Sequence, residues 1–185
     1  MSALLAPPRR IQEPRRDRRA ERRRLARHDA LSARLAELHA IAELTTRAAA
    51  LVERGWVQGA WFAAATPGGA RVLTSYDAHR RGDLPVTGAC LVGSVVASTP
   101  EPATGQLVQR TLDLTWYALR EDITPPAVLC PAPSVRTLRV RDLTRWNDDP
   151  SRTRGEVVDL LLRTGDLATT HAGLHRLERE SLSRG

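Results

Sequence analysis

Forty consecutive residues without a proline or glycine, Arg15 to Arg54, constrain this chain more than any other feature. Within them Leu31, Leu35, Leu38, Ala42, Leu44, Ala48, Leu51 and Val52 recur at three- and four-residue steps, the spacing of one apolar face of an α-helix. The pattern predicts a helix over residues 30–54, with Gly55 where a C′ glycine would end it. Residues 15–29 carry no such stripe. Their arginines read as falling on every face, so this half is expected to be helical only when a polyanion neutralises it.

Charge divides the chain at the same place. All 28 basic residues are arginine, which reads first as a coding bias and only second as a choice of phosphate ligand. Residues 1–29 hold ten arginines against Glu13, Asp17, Glu21 and Asp29, so +6 of the net +7 lies there, and the remainder is nearly neutral. A block of like charge is an interaction tail more often than part of a core. Arg15, Arg16, Arg18, Arg19, Arg22, Arg23, Arg24 and Arg27 are therefore the candidate nucleic-acid-binding residues. DNA or RNA is the expected partner, with an acidic protein surface or a merely solvated tail as alternatives. Two cysteines forty residues apart, Cys90 and Cys130, suggest reduced thiols. No apolar run approaches the roughly 18–20 residues of a membrane span. Arg9-Arg10 is not followed by the apolar stretch of an export signal, so the expected location is the cytoplasm, without a membrane partner.

Beyond Gly55, the segment GWVQGAWFAAATPGGARVLTSY reads as a β-hairpin, with Pro67-Gly68 as the central pair of a type II turn. Asp77 to Pro85 reads as a loop, and Ala89 to Ser98 as a short apolar helix or strand. Gln106 to Asp122 is an amphipathic helix, and Ile123 to Ser134 a proline-broken loop. Val140, Leu143 and Trp146 lie three apart, as in a short turn that buries all three. Thr153-Arg154-Gly155-Glu156 then matches a capping box ahead of the apolar run Val157 to Leu162. Gly165 marks the expected end of that helix and Asp166 the cap of another, along which Leu167, Thr170, Leu174, Leu177 and Leu182 form a weaker stripe.

The segments Gly55-Trp56-Val57-Gln58-Gly59-Ala60 and Trp146-Asn147-Asp148, the latter followed by Arg152-Thr153 and Glu156-Val157, resemble motifs of an uncharacterised family of small actinobacterial and actinophage proteins. Cys90-Leu91-Val92-Gly93 resembles a third, looser motif. The resemblance spans roughly residues 40–164 and implies an actinobacterial or phage origin. It implies no activity.

The acidic turn is the one place that invites a catalytic reading, with Asp148 and Asp149 as paired general acid and base. Local pattern already accounts for it: Asp148, Asp149 and Glu156 stand on the N-terminal side of a helix, where the dipole favours negative charge, and Asn147 bonds within the turn. Arg152 is expected in solvent or paired to a nearby aspartate. His171 and His175 have the i, i+4 spacing of a zinc pair, but no third ligand is near, so a solvated helix face is the expectation. The tryptophans read as anchors rather than as a base-stacking platform. Gly68-Gly69 stands alone, outside any phosphate-loop pattern, so no cofactor is implied. No catalytic or metal-binding residue is assigned; Trp56, Trp146, Asn147, Asp148, Thr153 and Glu156 are assigned structural roles.

The expected architecture is a basic, helical or disordered arm (1–29), a mainly α domain of four or five helices with one small hairpin (30–165), and a helical extension (166–185). The expected function is a non-enzymatic accessory protein that holds nucleic acid by its arm. The alternative is a protein–protein adaptor or inhibitor, and a hydrolase built on the acidic turn stands third.

Overall fold

The structure, a computed structural model, describes residues 13–74, 84–100, 105–121 and 132–184, with side chains from residue 18. The expected loops over Asp77–Pro85 and Ile123–Ser134 fall mostly outside these residues, and Cys130 falls outside them altogether. The fold is mainly α. Helix α1 (Glu13–Arg54) leads into strands β1 (Phe62–Thr66), β2 (Gly69–Leu73) and β3 (Val86–Ala89), and four helices follow: α2 (Leu91–Ala97), α3 (Gly105–Leu119), α4 (Pro133–Asn147) and α5 (Arg154–Arg184). Among the described residues no helix is long and apolar enough to cross a membrane.

Helices α1 and α5 form an antiparallel spine. Arg154 reaches the Glu53 carbonyl at one end, Gly165 lies against Thr45 and Ala42 midway, and Arg27 pairs with Glu178 towards the other end. Leu35, Leu38, Ile41, Leu44, Ala48 and Val52 of α1 are buried in one cluster with Val157, Leu160, Leu161 and Ala168 of α5. Leu91, Val92 and Val95 of α2, Leu112 and Leu114 of α3 and Leu143 of α4 complete that core. A smaller cluster of Leu51, Phe62, Ala64, Leu73 and Ala89 seats the sheet on the end of α1.

Several local expectations change. Of the two states expected for the arm, helical or disordered, the structure has the helical one, and α1 runs back to Glu13. Extending an existing helix needs no new nucleus, and Ala, Arg, Glu and Leu are all good helix formers. The hairpin supplies two strands of a three-stranded antiparallel sheet of order β2-β1-β3, and β3 lies just after the expected loop, over residues to which the sequence assigned no element before Ala89. Positive φ falls on Gly69 (116°) and not on Gly68, so Pro67-Gly68 does not form a type II turn. A two-residue hairpin loop of that type would splay the right-twisted strands it joins. Val140, Leu143 and Trp146 belong to the four-turn helix α4, opened by Pro133 in its first turn, where a missing N–H costs nothing. Helix α5 does not end at Gly165, nor does Asp166 cap a new one. A Cβ at residue 165 would meet the Thr45 hydroxyl at 2.9 Å, so this glycine allows the spine helices to approach closely. His171 is buried at 3% exposure rather than solvated.

Helix α2 is enclosed, with Leu91 to Val95 all buried. A methyl at Gly93 would stand on the Trp61 carbonyl oxygen and against the Phe62 ring. Intrinsic helix propensity favours Gly93→Ala by about 1 kcal/mol. Overpacking against backbone that cannot move costs about 1–3 kcal/mol, so the net effect expected is destabilisation, read as a lower urea midpoint with an unchanged slope.

Candidate functional site

Two places gather the residues that the sequence singles out: a polar joint at the end of α4 and the exposed end of α1. The joint is built on Asn147. Its side chain is fully buried, at 0% exposure. Its Oδ1 accepts from Trp56 Nε1 and from the Leu91 backbone N–H, both at 3.0 Å. Its Nδ2 donates to the Val57 carbonyl at 3.2 Å and to Asp148 Oδ1 at 2.8 Å. All the bonding capacity of the amide is used across three separate segments. The expectation that Asn147 bonds only within its own turn is therefore wrong. It reaches some ninety residues back along the chain to the segment after α1, and it satisfies an N–H at the start of α2 that the helix itself leaves open.

Asp148 extends the joint rather than forming an acid–base pair. Its Oδ1 also accepts from the Gly59 N–H at 3.0 Å, while Gln58 Nε2 donates to the carbonyls of Asn147 and Asp149. Asp148 is the C-cap of α4, at the negative end of that helix's dipole. Hydrogen bonds, not the dipole, hold it there. Asp149 turns elsewhere: its Oδ1 accepts from the N–H and hydroxyl of Ser151, which hold its carboxyl below the usual range.

The capping box forms as the sequence predicts. Glu156 Oε2 accepts from the Thr153 N–H at 2.8 Å, and Thr153 Oγ1 accepts from the Glu156 N–H at 3.3 Å. The Thr153 N–H and hydroxyl lower the Glu156 pKa from its ordinary 4.5. Arg152 is paired with Glu156 rather than with an aspartate, and its guanidinium lies over the Trp146 ring, 4.1 Å from the centroid. Trp116 is covered in the same way, by Arg139 at 4.7 Å and Arg120 at 5.4 Å. These ring faces are occupied, which fits anchors and not a stacking platform. Cys90 is a buried N-cap of α2: its sulfur accepts from the Gly93 N–H at 3.2 Å, and burial pushes the thiol up to about 11. A thiol of that kind is no nucleophile at neutral pH.

On the arm, Arg18, Arg19, Arg22, Arg23, Arg24 and Arg27 are all exposed, and Arg15 and Arg16 lie in the helix with side chains outside the described set. The six are not evenly distributed. At 3.6 residues per turn, Arg18, Arg19, Arg22 and Arg23 fall within roughly half the circumference, turned away from the line that runs down from Leu31, Leu35 and Leu38. Glu21, Arg24 and His28 continue that buried line. Arg24 and His28 accordingly share a shallow cleft with Leu182 and Ser183 of α5. Arg24 is paired to Glu21 at 3.7 Å and Arg27 to Glu178 at 2.5 Å. The outward four have no ion-pair partner among the described residues. This one-sidedness could have been read from the sequence by continuing the helical period of residues 30–54 backwards.

Asn147→Ala would leave Trp56 Nε1, the Leu91 N–H and the Val57 carbonyl without their partner, at about 1–3 kcal/mol for each buried group stranded. A loss of about 3 kcal/mol or more is expected, against about 0.5–2 kcal/mol for Thr153→Ala. Asp148→Asn keeps an acceptor oxygen and should cost little. Equilibrium denaturation of the three variants orders them, and equal losses at Asn147 and Thr153 would refute the joint. Because the Glu156 pKa is lowered in the fold, its contribution is fully present above its ordinary 4.5 and lost as pH falls through the folded value. Glu156→Gln should therefore flatten part of the acid limb of the stability profile.

No curated protein and no solved structure matches the chain. One family model does, over residues 36–167, close to the roughly 40–164 over which the sequence resembles an uncharacterised family. That span contains the whole joint and the capping box, and it leaves out the exposed end of α1 and the last turns of α5. The chain belongs to DUF6197, a family of unknown function.

Proposed function

We propose that the protein is a non-enzymatic accessory factor that holds nucleic acid through its basic arm, with the family domain as the rigid base that displays it. The observation that carries this reading is the outward half of α1, where Arg18, Arg19, Arg22 and Arg23 stand exposed while the acidic residue of that stretch, Glu21, faces the other way. Arginine presents a fork of N–H donors that matches phosphate oxygens, and each phosphate neutralised releases condensed counterions. The core supports the same reading from the other side. Asp113, Asp148 and Glu156 are committed to an ion pair, the joint and a cap, and Trp56, Trp116 and Trp146 to hydrogen bonds or covering arginines.

The test is binding to labelled duplex DNA and to structured RNA, with the intact chain and with residues 1–29 deleted. Binding should be lost with the deletion, while helical circular dichroism and a cooperative melt persist. Affinity should fall steeply with salt, with a logarithmic slope near −5 if about six phosphates are neutralised. Replacing Arg18, Arg19, Arg22 and Arg23 with Gln should reduce that slope by several units, up to about 3.6 if each meets one phosphate. An unchanged slope would move recognition to the domain's own surface. If no polyanion binds near physiological salt, the reading fails and an adaptor for protein partners replaces it.

A further inference from the structure

The projecting end of α1 has a shape as well as a charge. The contacts that pair Glu53 with Arg154, Ala42 with Gly165 and Arg27 with Glu178 keep one antiparallel register, and Arg24 and Leu182 line the same cleft. Continued by that register, Arg184 of α5 stands about level with Arg22. Towards its start α1 has no neighbouring element among the described residues, and residues 18–27 are exposed throughout. Among the described residues, α1 therefore runs alone from Glu13 to about Arg22, a length of about 15 Å.

We infer that this rod docks in the major groove of duplex DNA with its arginine-bearing half inward, a reading that rests on the nucleic-acid function proposed above. A helix with its side chains is about 10–12 Å across, and the major groove of B-form DNA is about 12 Å wide. The corresponding groove of duplex RNA is deep and narrow and does not admit one. The arginines match the groove's two walls. Arg18 and Arg22 form one row and Arg19 and Arg23 another, and the rows diverge by about 100° around the axis. Each row faces one of the two phosphate strands that border the groove. The far side carries Glu21 and, across from Arg27, Glu178. Phosphate repels that side, which fixes the orientation. Most contacts go to phosphate, so base selectivity should be slight.

The experiment uses the full chain and fluorescence anisotropy at one salt concentration, with a DNA duplex, an RNA duplex of the same sequence and the single DNA strand. The DNA duplex should bind tighter than either of the others by about tenfold or more. Two variants with equal loss of charge are compared, after circular dichroism has established that both are folded. Arg19→Gln with Arg23→Gln should weaken duplex DNA binding by about tenfold or more. Arg141→Gln with Arg145→Gln, an exposed i, i+4 pair on α4 away from the arm, should stay within about threefold because salt screens distant charge. Equal affinity for DNA and RNA duplexes, or equal losses in the two variants, overturns the groove reading while arm-dependent binding keeps the broader function. Absence of binding to all three probes overturns both.

Discussion

The fold turns on one buried amide. Four segments meet at the end of α4: the chain leaving α1, the start of α2, the end of α4 and the turn into α5. Each brings polar backbone that burial would strand. Asn147 offers two donors and an acceptor oxygen with two lone pairs, and the four bonds it makes use all of them. An apolar residue of similar size would leave three partners without a bond in a site that water does not reach, and a charged one would add a desolvation cost. The two motifs near residues 56 and 147 are thus the halves of one joint. This gives a physical reason for tryptophan and glutamine in the first and asparagine and aspartate in the second.

A joint of that kind fixes angles, and the spine converts them into reach. With α4 and α2 locked to the exit of α1, the capping box starts α5 at a defined point, and α5 then runs back antiparallel along α1. Gly165 keeps the two helices close midway. The pair continues beyond the core to Arg27 and Glu178, where the contacts become an exposed ion pair that contributes only modestly to stability. What the pairing supplies there is direction. The arm leaves the domain along the spine axis, and its arginine side is set by the same register that buries Leu31, Leu35 and Leu38.

How much of this could be read in advance follows from the length scale of each interaction. Local patterns were legible: the stripe of α1, the helix α3 and the capping box at Thr153 and Glu156 are written in residues three and four apart. Asn147 was misread because its bonds span some ninety residues, and a buried asparagine looks in sequence like any turn asparagine. Gly165 and His171 were misread for a related cause. Alone, a glycine looks like a break and a histidine like a surface residue, and only the packing of α1 against α5 gives them another role. Helix α4 reads in sequence as no more than a turn because Leu143 and Asn147 are its only buried residues and its arginines hide the period. Strand β3 is four residues long and carries too little pattern to be recognised beside a loop.

The limits of the family match, residues 36–167, add a further step. They enclose the joint and most of the core stretches of both spine helices, and the core continues a little beyond them, to Leu35 on α1 and to Ala168 and Ala172 on α5. The parts beyond them, the basic end of α1 and the last turns of α5, are prolongations of helices that already exist and already lie side by side. Prolonging a helix requires no new nucleus and no new loop, and two prolonged helices that touch restrain one another. A segment such as residues 13–27, too polar to fold alone, can in this way be held straight and pointed without any core of its own. The family domain then sets where the arm begins and which way its arginines face, and no hydrogen bond of the joint involves a residue of the arm.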